Sequence, residues 1–133
     1  MTTTQKTAVQ IVRAVYEAFG RGDIPAVLSH WHPDITWIES EGSPYAGTHT
    51  GPQAVVDGIF ADLPVTWTGF TVTPDEYIDA GDTVVALGHF TGAYTATGKS
   101  FRARFAHILR VRDGLVTAFE SVADTKLFAD AMS

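Results

Sequence analysis

Apolar and polar positions alternate along the stretch Phe101 to Arg112. Phe101, Ala103, Phe105, Leu109 and Val111 share one set of alternate positions with His107, while Arg102, Arg104, Arg110 and Arg112 fall on the other. Successive side chains of a strand point to opposite faces, so this spells a half-buried strand with one apolar and one basic face. His107 is the single break in the apolar row. A histidine there is either a structural residue paired inside the core or part of a lined cavity.

The first third of the chain has helical rather than alternating period. Ala8, Ile11, Val12, Val15 and Phe19 recur at three- and four-residue spacing and predict a helix over 4–20, started by Thr7 or Thr4 and stopped at Gly20 and Gly22. Asp23 caps a second, short helix with Pro25 in its first turn. Ala26, Val27, Leu28 and Trp31 give that helix its apolar side, and His32-Pro33-Asp34 ends it. A strand is predicted over 35–41. Ile35, Trp37 and Glu39 share one of its faces and Thr36, Ile38 and Ser40 the other, and hydrophobicity alone does not choose the inner one. The segment Gly42 to Gly51 is a glycine-rich loop carrying Tyr45 and His49, without the spacing of a phosphate-binding loop. Pro52 opens a third helix to about Ala61, with Ala54, Val55, Val56, Ile59 and Phe60 to bury, ended by Leu63-Pro64.

Beyond Val65 the pattern turns to strands. Segments 65–77, 83–95, 99–112 and 115–123 are joined by the turn signals Ala80-Gly81-Asp82, Thr97-Gly98 and Arg112-Asp113-Gly114, short links that favour an antiparallel meander. A last short helix follows over 125–132. Helices first and strands afterwards predict an α+β fold, a curved antiparallel sheet wrapped around three N-terminal helices with a cone-shaped interior.

Composition narrows the class. With 133 residues, 45% of them hydrophobic and 18% charged, the chain is sized for one domain, 1–133, with its own core. A net charge of −6 argues against general nucleic-acid binding. There is no cysteine, which excludes disulfides and thiolate chemistry. The N-terminal residues lack the apolar region of a signal peptide, and no apolar run approaches the ~18 residues of a membrane span, so the expectation is a soluble cytoplasmic protein. The five histidines show no H-E-x-x-H or similar metal spacing.

Several phrases occur in a telling order: Y-E-A-F-G-R-G-D (16–23), H-P-D-I-T-W (32–37), P-Y-A-G-T-H-T-G (44–51), A-T-G-K-S-F (96–101), F-A-H-I-L-R-V-R-D-G (105–114) and the closing D-T (124–125). Together they resemble the SnoaL-like, ketosteroid isomerase-related branch of the nuclear transport factor 2-like superfamily. The resemblance spans nearly the whole chain and implies the fold; activity varies widely across such a superfamily, from isomerases and cyclases to plain binding domains. In ketosteroid isomerases a carboxylate base ends the first strand, and Glu39 stands in the similar place. The position of their protonated aspartic acid, which holds the developing enolate, matches His107. Their helix tyrosine falls by count at Val15, with Tyr16 one residue, or about 100°, away. The Asp-Arg-Asp set of limonene-type epoxide hydrolases would need charges near Phe90, Gly92 and Ser121, and none is there.

Two readings follow. In the first, Glu39 is a general base and His107 an acid or oxyanion donor in a cofactor-free enzyme of isomerase, cyclase or dehydratase type acting on a hydrophobic carbonyl compound. Tyr16, Trp37, Tyr45, Phe105 and Phe119 then shape the substrate pocket. In the second, the chain is a non-catalytic ligand-binding or dimerisation domain, Glu39 is a solvated strand-end carboxylate and the aromatic residues are core. Under both, the arginine face is expected to form a homodimer interface with acidic partners such as Glu76, Asp79 or Glu120, and His89 to face outward.

Overall fold

A computed structural model describes residues 6–133. Thr4, one of the two candidate caps of the first helix, lies outside them. The cap is Thr7: it accepts from the Gln10 backbone N–H, and the Gln10 side chain accepts from Thr7 N in return, a closed capping box at the start of α1 (Ala8–Gly20). Ile11, Val12, Val15 and Ala18 are its buried face. The three aliphatic side chains among them contribute roughly 1.5–3 kcal/mol each through burial. Asp23 accepts from Ala26 N to start α2 (Ile24–Leu28).

Two expected boundaries shift here. Trp31 and His32-Pro33-Asp34 do not finish the second helix; they belong to β1 (Trp31–Glu39). Proline is tolerated because the strand is irregular there, its register against its neighbour slipping between Trp31 and Thr36. The glycine-rich loop also holds more structure than expected, since Gly47–Thr50 forms β2, antiparallel to the end of β1. Alternation over four residues with three small polar positions gave it no apolar signature.

The third helix is likewise not uniform. It begins as α3 (Pro52–Val55), widens into a π-turn over Val56–Phe60, and is followed by α4 (Leu63–Thr66). The rest follows the predicted meander: β3 (Trp67–Ala80), β4 (Thr83–Tyr94), β5 (Ser100–Arg112), β6 (Leu115–Ala123) and α5 (Thr125–Met132). Asp113 and Gly114 both have positive φ, the requirement of a two-residue hairpin whose twist suits its strands.

The six strands form one sheet in the order β2-β1-β6-β5-β4-β3, antiparallel throughout except for the β1–β6 pair. The sheet curves, and its inner face packs on α1 and α5. Phe90, Phe101, Phe105, Leu109, Val111, Val116 and Phe119 are buried on that face. Trp67, at the start of the far edge strand, is fully buried among Tyr94, Phe101 and Phe128.

Gly88 is a fixed point of this packing. A Cβ added there would lie 2.2 Å from the Thr73 carbonyl oxygen, 2.8 Å from Pro74 Cα and 2.6 Å from the Phe105 ring. Two of those atoms are backbone and cannot step aside. Gly88→Ala is therefore expected to cost about 1–3 kcal/mol through overpacking, read as a lower urea midpoint at unchanged slope.

Candidate functional site

The odd face of β1 is the inner one. Ile35 and Trp37 are buried, whereas Ile38 on the other face is 37% exposed. Glu39 thereby enters the interior at the end of the strand, where the Trp37 indole Nε1–H donates to its Oε1 at 2.8 Å. The cavity it enters lies between α1, the π-turn and the sheet and has a volume of about 80 Å³. That is several times the ~10–15 Å³ one water occupies, so the space admits more than a single water.

Burial pushes the Glu39 carboxyl above its usual range. The Trp37 hydrogen bond, the charge of His49 and the Ser121 hydroxyl oppose that shift without overcoming it. The Ser121 hydroxyl approaches the carboxylate without closing a hydrogen bond of good geometry.

His107 and Tyr16 are joined. The Tyr16 hydroxyl and His107 Nδ1 are 2.6 Å apart. Tyr16 is only partly covered as a whole, but its hydroxyl end is desolvated, and burial followed by the nearby Tyr77 and Glu39 raises its pKa well above the ordinary phenol value. His107 is packed on all sides: Phe105 stacks on its ring at 3.8 Å between centroids, with Phe119 at 4.6 Å and Phe90 at 5.5 Å. Burial lowers its pKa to about 3, so the imidazole is neutral at physiological pH.

Of the predicted site residues, Glu39, His107, Tyr16, Trp37, Tyr45 and Phe119 all line the one cavity. Trp37 and Phe119 stack at 3.6 Å to form part of its wall. Phe105 does not line it. Its ring lies behind His107, between that residue and Phe90, and backs the imidazole instead of meeting a ligand.

Tyr45 sits in the loop after β1, yet its hydroxyl donates to Asp62 Oδ2 at 2.6 Å and accepts from Trp67 Nε1 at 3.0 Å. These bonds tie the loop beside one edge of the sheet to the first residue of the opposite edge strand. Burial and the Asp62 carboxylate push the Tyr45 pKa up, so it stays a neutral donor. Thr66 Oγ1 donates to the other Asp62 oxygen at 2.9 Å.

Ser121 was not predicted. It is 2% exposed, pairs directly across from His107 in the β5–β6 register and lines the same cavity. Its Oγ and His107 Nε2 are the two buried side-chain polar atoms without a partner among the described residues. The available signal was the same one that picked out His107, a polar residue on an inner row, here between Phe119 and Ala123. Asp62 was also missed; it sits between two short helical turns, where an acidic residue reads as solvated.

On the outer face, Arg102, Arg104, Arg110 and Arg112 are exposed as expected, and His89 faces outward and bonds Asp75 at 2.9 Å. Among the described residues none of these arginines pairs with Glu76, Asp79 or Glu120; Arg110 instead donates to Thr83 Oγ1 at 3.2 Å. No helix among those residues is long and apolar enough to cross a membrane.

A curved sheet closed over an N-terminal helix, with a polar pair inside it, defines a nuclear transport factor 2-like protein. The profile of the SnoaL-like domain matches residues 12–119, and the chain belongs to that family. It is similar to an NTF2-like protein of Burkholderia thailandensis E264, with 41% identity over 97% of this chain and 99% of the other and a TM-score of 0.94. An NTF2-like protein of unknown function from Burkholderia pseudomallei K96243 is 32% identical over 97% and 99%, with a TM-score of 0.87. TerC, co-crystallised with polyporic acid, is 30% identical over 94% and 97%, with a TM-score of 0.84. No curated protein matches the sequence.

Proposed function

We infer that the protein is a small-molecule enzyme that moves a proton next to a carbonyl group, with Glu39 as the base. The observation that carries this reading is the Glu39 carboxylate, held by Trp37 inside an apolar cavity that His107 also lines. A carboxylate with a raised pKa has more proton affinity than one in water, and a nearby neutral donor stabilises the charge that develops on the substrate oxygen. A SnoaL-like polyketide cyclase shares the fold, and a 30% identical relative was co-crystallised with polyporic acid; both support a small-molecule site. No step requires a cofactor.

The reading is tested by adding the protein to 2-tetralone, a bicyclic ketone with acidic α-protons, in D2O. Deuterium should enter the α-positions faster than in buffer, and a rate equal to that of buffer overturns the reading. Binding of 2-tetralone without any acceleration would favour the second reading, a ligand-binding domain.

The outer face of the sheet supports a homodimer. Val122 is 50% exposed beside Ala106 and Leu87, and Ile38 and Ile108 flank Glu120 in the adjoining row, with Arg104 and Arg110 in the rows on either side. An apolar strip that carries an acidic residue and is bordered by arginines can meet a second copy of itself about a two-fold axis. Light scattering should give twice the chain mass, and Val122→Asp should shift it to the monomer; a wild-type monomer rules the interface out.

A further inference from the structure

A second space adjoins the cavity. It is an open groove of about 560 Å³ between the end of α1, the start of α2, α4 and the first residues of β3. Phe19, Phe60, Leu63 and Phe70 line both spaces, so a single layer of residues, three of them phenylalanines, divides one from the other. Phe60 ends the π-turn, and its ring meets Phe19 at 5.2 Å, Trp31 at 5.7 Å and Trp37 at 5.8 Å. Trp37 is the residue that holds Glu39. Two aromatic side chains therefore separate the groove from the carboxylate.

The groove is built without charge. On a chain of net charge −6, none of the residues lining it is ionisable. Its two hydroxyls, on Thr68 and Thr95, bond each other at 2.9 Å. Val65 stands on its rim 73% exposed, the most exposed large hydrophobic residue among those described. Apolar surface of this kind gains by being covered. The wall shared with the cavity favours the far end of a molecule already seated there over a separate partner. Two linked parts bind as one, and the second loses no further translational freedom.

We propose that the groove is a second subsite, taking an uncharged aromatic or alkyl extension of the cavity's ligand, and that Phe60 is the specificity-determining residue dividing the two. The extended ligand passes through the seam between the Phe19 and Phe60 rings, which parts by side-chain rotation alone. This rests on taking the cavity as a ligand site, but it stands independently of Glu39 acting as a base.

Two probes test it: 2-tetralone, and 6-phenyl-2-tetralone, which adds one uncharged ring away from the carbonyl. Methyl NMR reads which space each fills. Both should shift Val15 and Val27 in the cavity, and only the phenyl compound should shift Ile24 and Val65 in the groove. Calorimetry should give the phenyl compound a Kd roughly 10–100-fold lower, the order expected for burying one ring. Val65→Asp, at an exposed position, should remove most of that gain and leave 2-tetralone unchanged. Phe60→Trp, which thickens the divider, should weaken the phenyl compound more than 2-tetralone. Equal Kd values, or groove shifts without cavity shifts, overturn the subsite. An equal effect of Phe60→Trp on both compounds overturns the role of Phe60. A change of mass by light scattering in Val65→Asp would mark the groove as a contact between copies and overturn it too. If neither compound shifts either set of methyls, the subsite falls together with the ligand reading of the cavity. If the phenyl compound reports in both spaces while deuterium exchange fails, the base reading falls and the subsite stands.

Discussion

Glu39→Gln is expected to lower the protein-driven deuterium exchange of 2-tetralone by about 10²–10⁴-fold, the usual contribution of a positioned base. The substitution is nearly isosteric, and the amide oxygen can still accept from the Trp37 indole, so the end of β1 keeps its anchor. What disappears is the lone pair able to take a proton. The wild-type rate should rise with pH as the carboxyl ionises, with a midpoint above the ordinary glutamate value because burial raises that pKa. Above the midpoint the rate should level off. A variant with wild-type exchange would remove Glu39 from the chemistry, whatever the fate of the ligand site.

The second large effect concerns acid stability. His107 has a folded-state pKa of about 3 against an ordinary value of 6.5. A base with a depressed folded value favours the fold above the unfolded pKa, and that stability is lost as pH falls toward the folded one. Between these values the unfolded chain holds a proton that the native state refuses, so stability should fall by about 1.4 kcal/mol per pH unit. Glu39 acts with the opposite sign: its raised folded value costs stability as pH climbs through it, so acid relieves that cost. Comparison with His107→Phe isolates the histidine. Relative to that variant, the wild type should lose about 2 kcal/mol between pH 6.5 and pH 4.5, measured by urea unfolding at both. His107→Phe itself leaves the Tyr16 hydroxyl without its partner, a cost of ~1–3 kcal/mol that does not depend on pH in this range. Parallel pH curves for the two proteins would show that His107 is not buried as a neutral base.

Much of this was legible before any coordinates, because strands and helices write different periods into the sequence. The alternation over 101–112 gave β5 its inner face, and with it the inward placement of His107. Residue type gives the Asp-Gly turn at 113–114 and narrows the first cap to Thr7 or Thr4, of which Thr7 is the one used. Other features depend on partners that no local pattern names. Whether Glu39 pointed in or out was undecided because both faces of β1 carry apolar residues, and its pairing with β2 and β6 settles that. Tyr16 lies one residue from the place where ketosteroid isomerases carry their helix tyrosine, yet its hydroxyl reaches His107 across 91 positions of sequence. Phe105 erred the other way: being on the correct face does not place a ring on the cavity surface when a neighbour covers it.

The hydroxyl of Tyr45 bonds Asp62 and Trp67 at the opposite edge of the sheet, while the polar atoms of His107 and Ser121 come from strands in its middle. That separation makes two properties heritable apart from one another. Substitutions around the Tyr45 tie can therefore alter one side of the cavity while His107 and Ser121, anchored on the central strands, keep their places.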